Sequence, residues 1–264
     1  MPDCDLDRFE FQTLWTLFDR VRRTHRVLAF ADLAGQDPPD KYVVLRHDID
    51  YSLDVAAALA EEEAARGIRA TYFLLPSSPY YNLLDPRHAA TVSRISAVGH
   101  EVGLHYDVNL LRCVDESRWL PLLQLQAAIL TELSGQPVIS IAMHQPGLNG
   151  ADPLEGRADV PFLNAYAPRF FREMPYVSDS CRAWRDSAWA ILTGDPLPPR
   201  FQLLLHPLNW GPHDRDRTEI YREVHKELTT TIDEMGHVLL AQIDRHDGVL
   251  EDRARRQARR AFRD

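Results

Sequence analysis

Segments that read as buried strands alternate along this chain with segments of helical spacing, and most of these strands run out into a histidine or an aspartate. Tyr42–Leu45 leads to Asp48 and Asp50, and Glu101–Leu104 leads to His105. Val138–Met143 leads to His144, Tyr176–Ser178 to Asp179, and Phe201–Leu205 to His206. Strands alternating with helices predict a parallel sheet covered by helices. In such α/β folds, and in barrels most of all, catalytic groups collect at the C-terminal ends of the strands. One pattern therefore constrains both the fold and the place of a site.

The helical segments fill the gaps. Phe9, Leu14, Leu17, Phe18 and Val21 give an opening helix over Phe9 to Arg23. Ser52 is a fitting N-cap for an alanine-rich helix with Asp54 in its first turn and Gly67 at its end. Arg69 to Leu75 reads as a strand, and Pro86–Val98 as a helix stopped by Gly99. Asp115 or Ser117 opens a leucine-rich helix that Gly135 closes, and the tail from Thr218 is mostly helix. No repeat or low-complexity linker interrupts the chain. Its 264 residues are expected to form a single α/β domain, a length that suits a barrel of roughly 200–250 residues. Within residues 1–264, an N-terminal helix is expected over about 8–24 and a C-terminal helical tail over about 216–262.

Composition excludes several classes. A chain that is 45% hydrophobic and 26% charged is an ordinary globular one. A net charge of -9 argues against a general grip on nucleic acid. The basic run from Arg253 to Arg260 reads as a solvated helix end. The acidic start Met1–Asp7 lacks the features of a signal peptide, and no stretch nears the roughly 20 apolar residues that span a bilayer. A cytoplasmic protein without a membrane partner is expected. Cys4, Cys113 and Cys181 are too few and too far apart for a disulfide framework or a CxxC metal site.

The strand ends carry chemistry. Alternation puts Asp48 and Asp50 on one face of their strand and His47 on the other. Two carboxylates side by side at a buried strand end need a cation, a shared proton or water. Carboxylate and imidazole donors suit Zn²⁺, with Mn²⁺, Fe²⁺, Co²⁺ or Ni²⁺ also accepted. Asp50, His105 and a third group would make a three-ligand catalytic site. Asp48 would then serve as base, and His206 as the acid that protonates a leaving amine. The expected partner is a small molecule with an N-acyl group. Arg46 is expected to pair with a nearby carboxylate, and His100, facing away from His105, is expected to be structural. Trp184 and the run Tyr80-Tyr81-Asn82 offer an aromatic wall for a sugar ring, with plain packing as the alternative.

The ordered set resembles the NodB-type polysaccharide deacetylases, in particular a branch that opens on Arg-His-Asp-x-Asp. Arg46-His47-Asp48-Ile49-Asp50 stands at the family's paired aspartates, and Gly99–His105 is similar to its second motif. Ala142–Pro146 occupies the place of the third motif. Tyr176–Ser180 with Trp184 resembles the fourth, and Leu203–Pro207 the fifth. The resemblance implies a distorted (β/α) barrel, usually of seven strands. It also implies a metal-dependent deacetylase with Asp48 and His206 catalytic and Asp50 and His105 on the metal. Asp179, Trp184 and Tyr81 are expected to contact substrate. Two departures stand out. Asn109 replaces a second histidine ligand, and His144 replaces an arginine that many members use to orient the base. His144 is therefore expected to complete the ligand set with Asp50 and His105, Asn109 being the alternative. An amino-sugar intermediate bearing an N-acetyl group is the expected substrate. A cyclic imide or ureide hydrolase, or a retired scaffold that binds a glycan or partner, stands as the alternative.

Overall fold

The computed structural model describes residues 5–35 and 37–261, with side chains only in part beyond 243. Met1 to Cys4, and with them the first cysteine, lie outside the described residues, as do the side chains of the basic run beyond Arg253. The chain folds as two compact units, Met1–Arg217 and Thr218–Asp264.

The first unit carries the sheet. After α1 (Phe11–Arg22), β1 (Arg26–Leu28) and β2 (Tyr42–Ile49) are followed by α2 (Leu53–Ala65) and β3 (Thr71–Leu74). Next come α3 (Pro86–Ala97), β4 (Glu101–Tyr106), α4 (Val108–Arg112), α5 (Trp119–Ser134) and β5 (Ser140–Met143). The rest comprises α6 (Pro146–Asn149), β6 (Leu163–Asn164), α7 (Pro168–Phe171), β7 (Tyr176–Ser178), α8 (Asp186–Thr193) and β8 (Arg200–Leu205). Every strand pairing is parallel, in the order β6-β5-β4-β3-β2-β8-β7. β1 pairs with Tyr42–Val44, the half of β2 that β3 leaves open by pairing only from Arg46 onward. The sheet curls into an open half-barrel with helices outside, which is the distorted (β/α) barrel expected from the sequence.

The central strand explains itself. All eight residues of β2 are buried, as a strand covered on both faces requires. His47 and Arg46 can be buried there because each has a charged partner, on opposite faces. His47 Nε2 lies 2.9 Å from Glu63 of α2, whose other oxygen accepts from the Tyr72 hydroxyl. The Ser52 hydroxyl accepts from the Val55 amide and starts α2 as anticipated. Gly135, with φ +70, ends α5.

The differences from the sequence reading are local. The strand β5 starts at Ser140 rather than Val138, since the Val138 amide donates to the Thr131 hydroxyl of α5 instead of to a neighbouring strand. β1 and β6, of three and two residues, are too short to show a period. In the second unit, α9 (Arg217–Ala261) is a helix of 45 residues. Among the described residues, no helix is long and apolar enough to cross a membrane.

Candidate active site

The C-terminal ends of β2, β4 and β5 bring Asp50, His105 and His144 together, with one ligand atom of each within 4.8 Å of the others. Asp50 follows β2 directly, on the face that also carries Asp48 and Arg46. Its Oδ1 lies 3.3 Å from His105 Nε2 and 3.6 Å from His144 Nε2. Donors on a tetrahedral zinc, at about 2.0–2.1 Å from the ion, stand about 3.4 Å from each other.

Each histidine is aimed by backbone. His105 Nδ1 donates to the Ala142 carbonyl on the adjacent strand at 2.9 Å. A carbonyl only accepts, so the proton sits on Nδ1 and the Nε2 lone pair faces the carboxylates. Gly103, two residues earlier on the same face, allows this approach. A Cβ there would stand 2.5 Å from the Phe73 ring and 2.9 Å from Ser140 Oγ. The His144 amide extends the β4–β5 ladder by donating to the Tyr106 carbonyl at 2.9 Å. Gln145 then turns the chain away with φ +50, a left-handed conformation unusual for a residue with a side chain. The two imidazoles meet edge to face at 5.1 Å between centroids.

The donor set fits a divalent cation. Asp48 Oδ1 and Asp50 Oδ1 are buried without a hydrogen-bond donor, a costly state for carboxylate oxygens unless positive charge approaches them. Burial alone would raise the Asp50 pKa, yet contact with His105 and the nearby His206 and His144 hold it well below the usual carboxylate range. Burial, reinforced by His105, pushes the His144 imidazole down, toward the neutral form that ligates. Burial works against charge on His105 too, but Asp48 and Asp50 outweigh it and raise its pKa. The two carboxylates thus favour positive charge at Nε2, whether carried by a proton or by a metal ion.

Asp48 is held from the other side. Its Oδ2 accepts from Arg46 Nη2 at 2.8 Å and lies 3.7 Å from His105 Nε2. Arg46 also donates to Gln202 and to the Tyr166 hydroxyl, and its guanidinium lies over the Tyr166 ring at 4.7 Å. The expected carboxylate partner of Arg46 is therefore Asp48.

His206 follows β8. Its Nδ1 lies 2.6 Å from Asp179 Oδ1, and its amide donates to both Asp179 oxygens. Trp210 Nε1 donates to Asp179 Oδ2 at 2.9 Å. Burial lowers the imidazole pKa, but the charge and hydrogen bond of Asp179, with the Asp50 and Asp48 charges added, together outweigh it and push it up to about 9. The side chain remains 22% exposed, and Asp179 engages its Nδ1, not its Nε2.

The three expected substrate contacts have internal partners. Asp179 is fully buried, with its oxygens engaged by His206 and Trp210. The Tyr81 hydroxyl donates to the Ile49 carbonyl at 2.6 Å and accepts from the Leu75 amide, clamping the ends of β2 and β3. Trp184 donates its indole N–H to the Leu6 carbonyl and stacks on Phe9. Asn109 is exposed on α4 and accepts from Arg112. His100 is structural, with Nε2 donating to the Ala60 carbonyl and Nδ1 accepting from the Ala70 amide. His213 is exposed, and Cys113 and Cys181 are free and exposed.

The sequence reading missed some residues. Gln202 had a signal, as the lone amide in an apolar strand; Tyr166 had none. Tyr51, next to Asp50, packs against the exposed Tyr80 with ring centroids 4.8 Å apart.

No protein-family model and no curated relative matches the chain. Among solved structures it is similar to the peptidoglycan deacetylase PdaC from Bacillus subtilis, with 18% identity and a TM-score of 0.45 over 74% of this chain and 87% of that one. A polysaccharide deacetylase from Bacillus cereus matches at 18% identity and TM-score 0.43, over 72% of this chain and 88% of that one. A CE4 family pseudoenzyme from Bacillus anthracis matches at 17% and 0.43, over 74% and 63% of the two chains. These likenesses concern the outline of the fold.

Proposed function

We propose that the chain is a divalent-metal-dependent amide hydrolase that removes an acyl group from the nitrogen of an acylated amino sugar or a related small molecule. The observation that carries this reading is the convergence of Asp50, His105 and His144 beside a fourth group, Asp48, whose Oδ2 lies 3.7 Å from His105 Nε2. Asp50, His105 and His144 would hold the ion, Zn²⁺ by preference. The ion would acidify a water and polarise the substrate carbonyl.

The side chains supply the proton traffic. Asp48, fixed by Arg46, takes the proton of the attacking water as its oxygen bonds to the acyl carbon. His206, held protonated by Asp179, gives its proton to the amide nitrogen as the carbon–nitrogen bond breaks. The products are a carboxylate and a free amine. Base and acid thus come from different strands, each with its own buried partner, Arg46 and Asp179.

The test joins metal analysis to turnover. Protein purified without added metal and then dialysed against a strong chelator should lose hydrolysis of N-acetylated amino sugars and regain it with Zn²⁺ or Co²⁺. Asp48→Asn should keep the metal and lose turnover by about 10²–10⁴-fold. Full activity after chelation, or hydrolysis of cyclic imides with none of acetamido sugars, would overturn the assignment.

A further inference from the structure

Arg46 holds the carboxylate that the proposed reaction uses as base, yet its own position depends on residues far from β2. Its Nη2 has two hydrogens and two acceptors, Asp48 Oδ2 and the Tyr166 hydroxyl, each at 2.8 Å. Nη1 donates to Gln202 Oε1 at 3.1 Å, while Nε is buried without an acceptor. The guanidinium lies over the rings of Phe73 and Tyr166, 5.5 and 4.7 Å from their centroids. Tyr166 and Gln202 belong to one arrangement. β6 and β7 stand at the two ends of the strand order, and a strap over residues 165–170 follows β6. Gln202, on β8 beside β7, donates from Nε2 to the strap's carbonyls, Ala165 at 3.1 Å and Phe170 at 2.8 Å. Fully buried, it binds strap and guanidinium at once.

We propose that this strap is a positioning element for the base, in which the Tyr166 hydroxyl holds Arg46 on Asp48 and Gln202 holds the strap. The inference rests on the hydrolase reading and extends it to residues that act through Arg46. Asp48 has a second neighbour to turn to, since His105 Nε2 lies 3.7 Å from the same Oδ2. Without the Tyr166 hydroxyl the guanidinium keeps its charge but loses an acceptor that fixes its tilt, and a buried ion pair depends on its geometry. Asp48 then leans toward His105, where it serves as a ligand rather than as a base. Packing does not account for the hydroxyl. The ring contacts of Tyr166 with Phe171 and Tyr176, at 5.1 and 6.4 Å between centroids, need only the ring.

Tyr166→Phe tests this, because it deletes the hydroxyl and keeps the ring. With the zinc-loaded full chain, kcat for an N-acetylated amino sugar should fall about 10–100-fold, the loss common when a partner of a site residue is removed. KM should stay unchanged and zinc binding should not weaken. In an Asp48→Asn background the same substitution should alter the residual rate less than about twofold, since it acts only through the base. A wild type that hydrolyses the sugar beside a Tyr166→Phe chain of equal kcat would overturn the inference and leave the hydrolase reading standing. So would a loss confined to KM, a loss that follows weakened zinc binding, an equal loss in the Asp48→Asn background, or a variant that melts below the assay temperature. A wild type without hydrolysis would overturn both.

Discussion

Arg46 and Asp48 stand two residues apart on one strand, and their side chains meet in the interior, Nη2 to Oδ2 at 2.8 Å, with Arg46 fully buried. The alternation of β2 turns both to the same face, so the strand carries its own counter-ion for the carboxylate. Position 144, where an arginine is expected to orient the base in many resembling sequences, is thereby free to offer an imidazole.

Removing the guanidinium leaves Asp48 buried without its cation. Arg46→Ala should destabilise the fold by about 3–5 kcal/mol, measured by urea unfolding at neutral pH. A loss under about 1 kcal/mol, typical of an exposed pair, would mean that water reaches Asp48 and the pair is dispensable.

Asp179 sets the proton on His206. Burial opposes charge on the imidazole, Asp179 together with Asp50 and Asp48 outweighs it, and the pKa reaches about 9. A general acid works only while protonated, so kcat/KM should fall as pH rises through that value. Asp179→Asn removes the raising charge and should move this alkaline limb to lower pH. An unmoved limb would separate it from His206.

The same shift bears on stability. The folded-state pKa lies above the usual value for histidine, so the pairing stabilises fully below about pH 6.5 and fades as pH rises through about 9. Denaturation of the wild type and His206→Gln across this range should show the gap between them closing toward high pH. A constant gap would be packing alone.

His144 and Asn109 make opposite predictions. His144→Ala should lower metal affinity by at least about 10–100-fold, the loss known for weaker perturbations of such sites, while Asn109→Ala should leave it unchanged. Equilibrium dialysis with Zn²⁺ decides between them. Equal affinities for wild type and His144→Ala would exclude the imidazole from the ligand set.

Gly103 is the packing counterpart. A methyl group there meets the Phe73 ring at 2.5 Å, and Gly103→Ala should cost about 1–3 kcal/mol as Phe73 or β4 shifts. Thermal unfolding measures it; an unchanged midpoint would mean that the ring swings aside freely.

The sequence spoke most clearly where a side chain repeats a simple rule. Period two placed Asp48 and Asp50 on one face, and strand ends placed His105, His144 and His206 on one rim. It was silent where partners come from distant segments of no pattern. Tyr166 reaches Arg46 from a loop, and Leu6 takes the Trp184 indole from the far end of the unit. The polar anchoring of the two aromatics was illegible for that reason. Trp184 and Tyr81 satisfy their polar atoms on backbone carbonyls that no local spacing identifies. Short β1 and β6 were lost because two or three residues cannot show a period.

The two imidazoles of the rim differ in how they can be lost. His206 depends on a carboxylate, and a single codon change at Asp179 would retune it. His105 depends on the carbonyl of Ala142, which every amino acid at that position would supply. Its tautomer is set by the register of β4 against β5, and it survives any substitution that leaves the ladder in step. In a drifting lineage, the His105 lone pair would outlast the charge on His206.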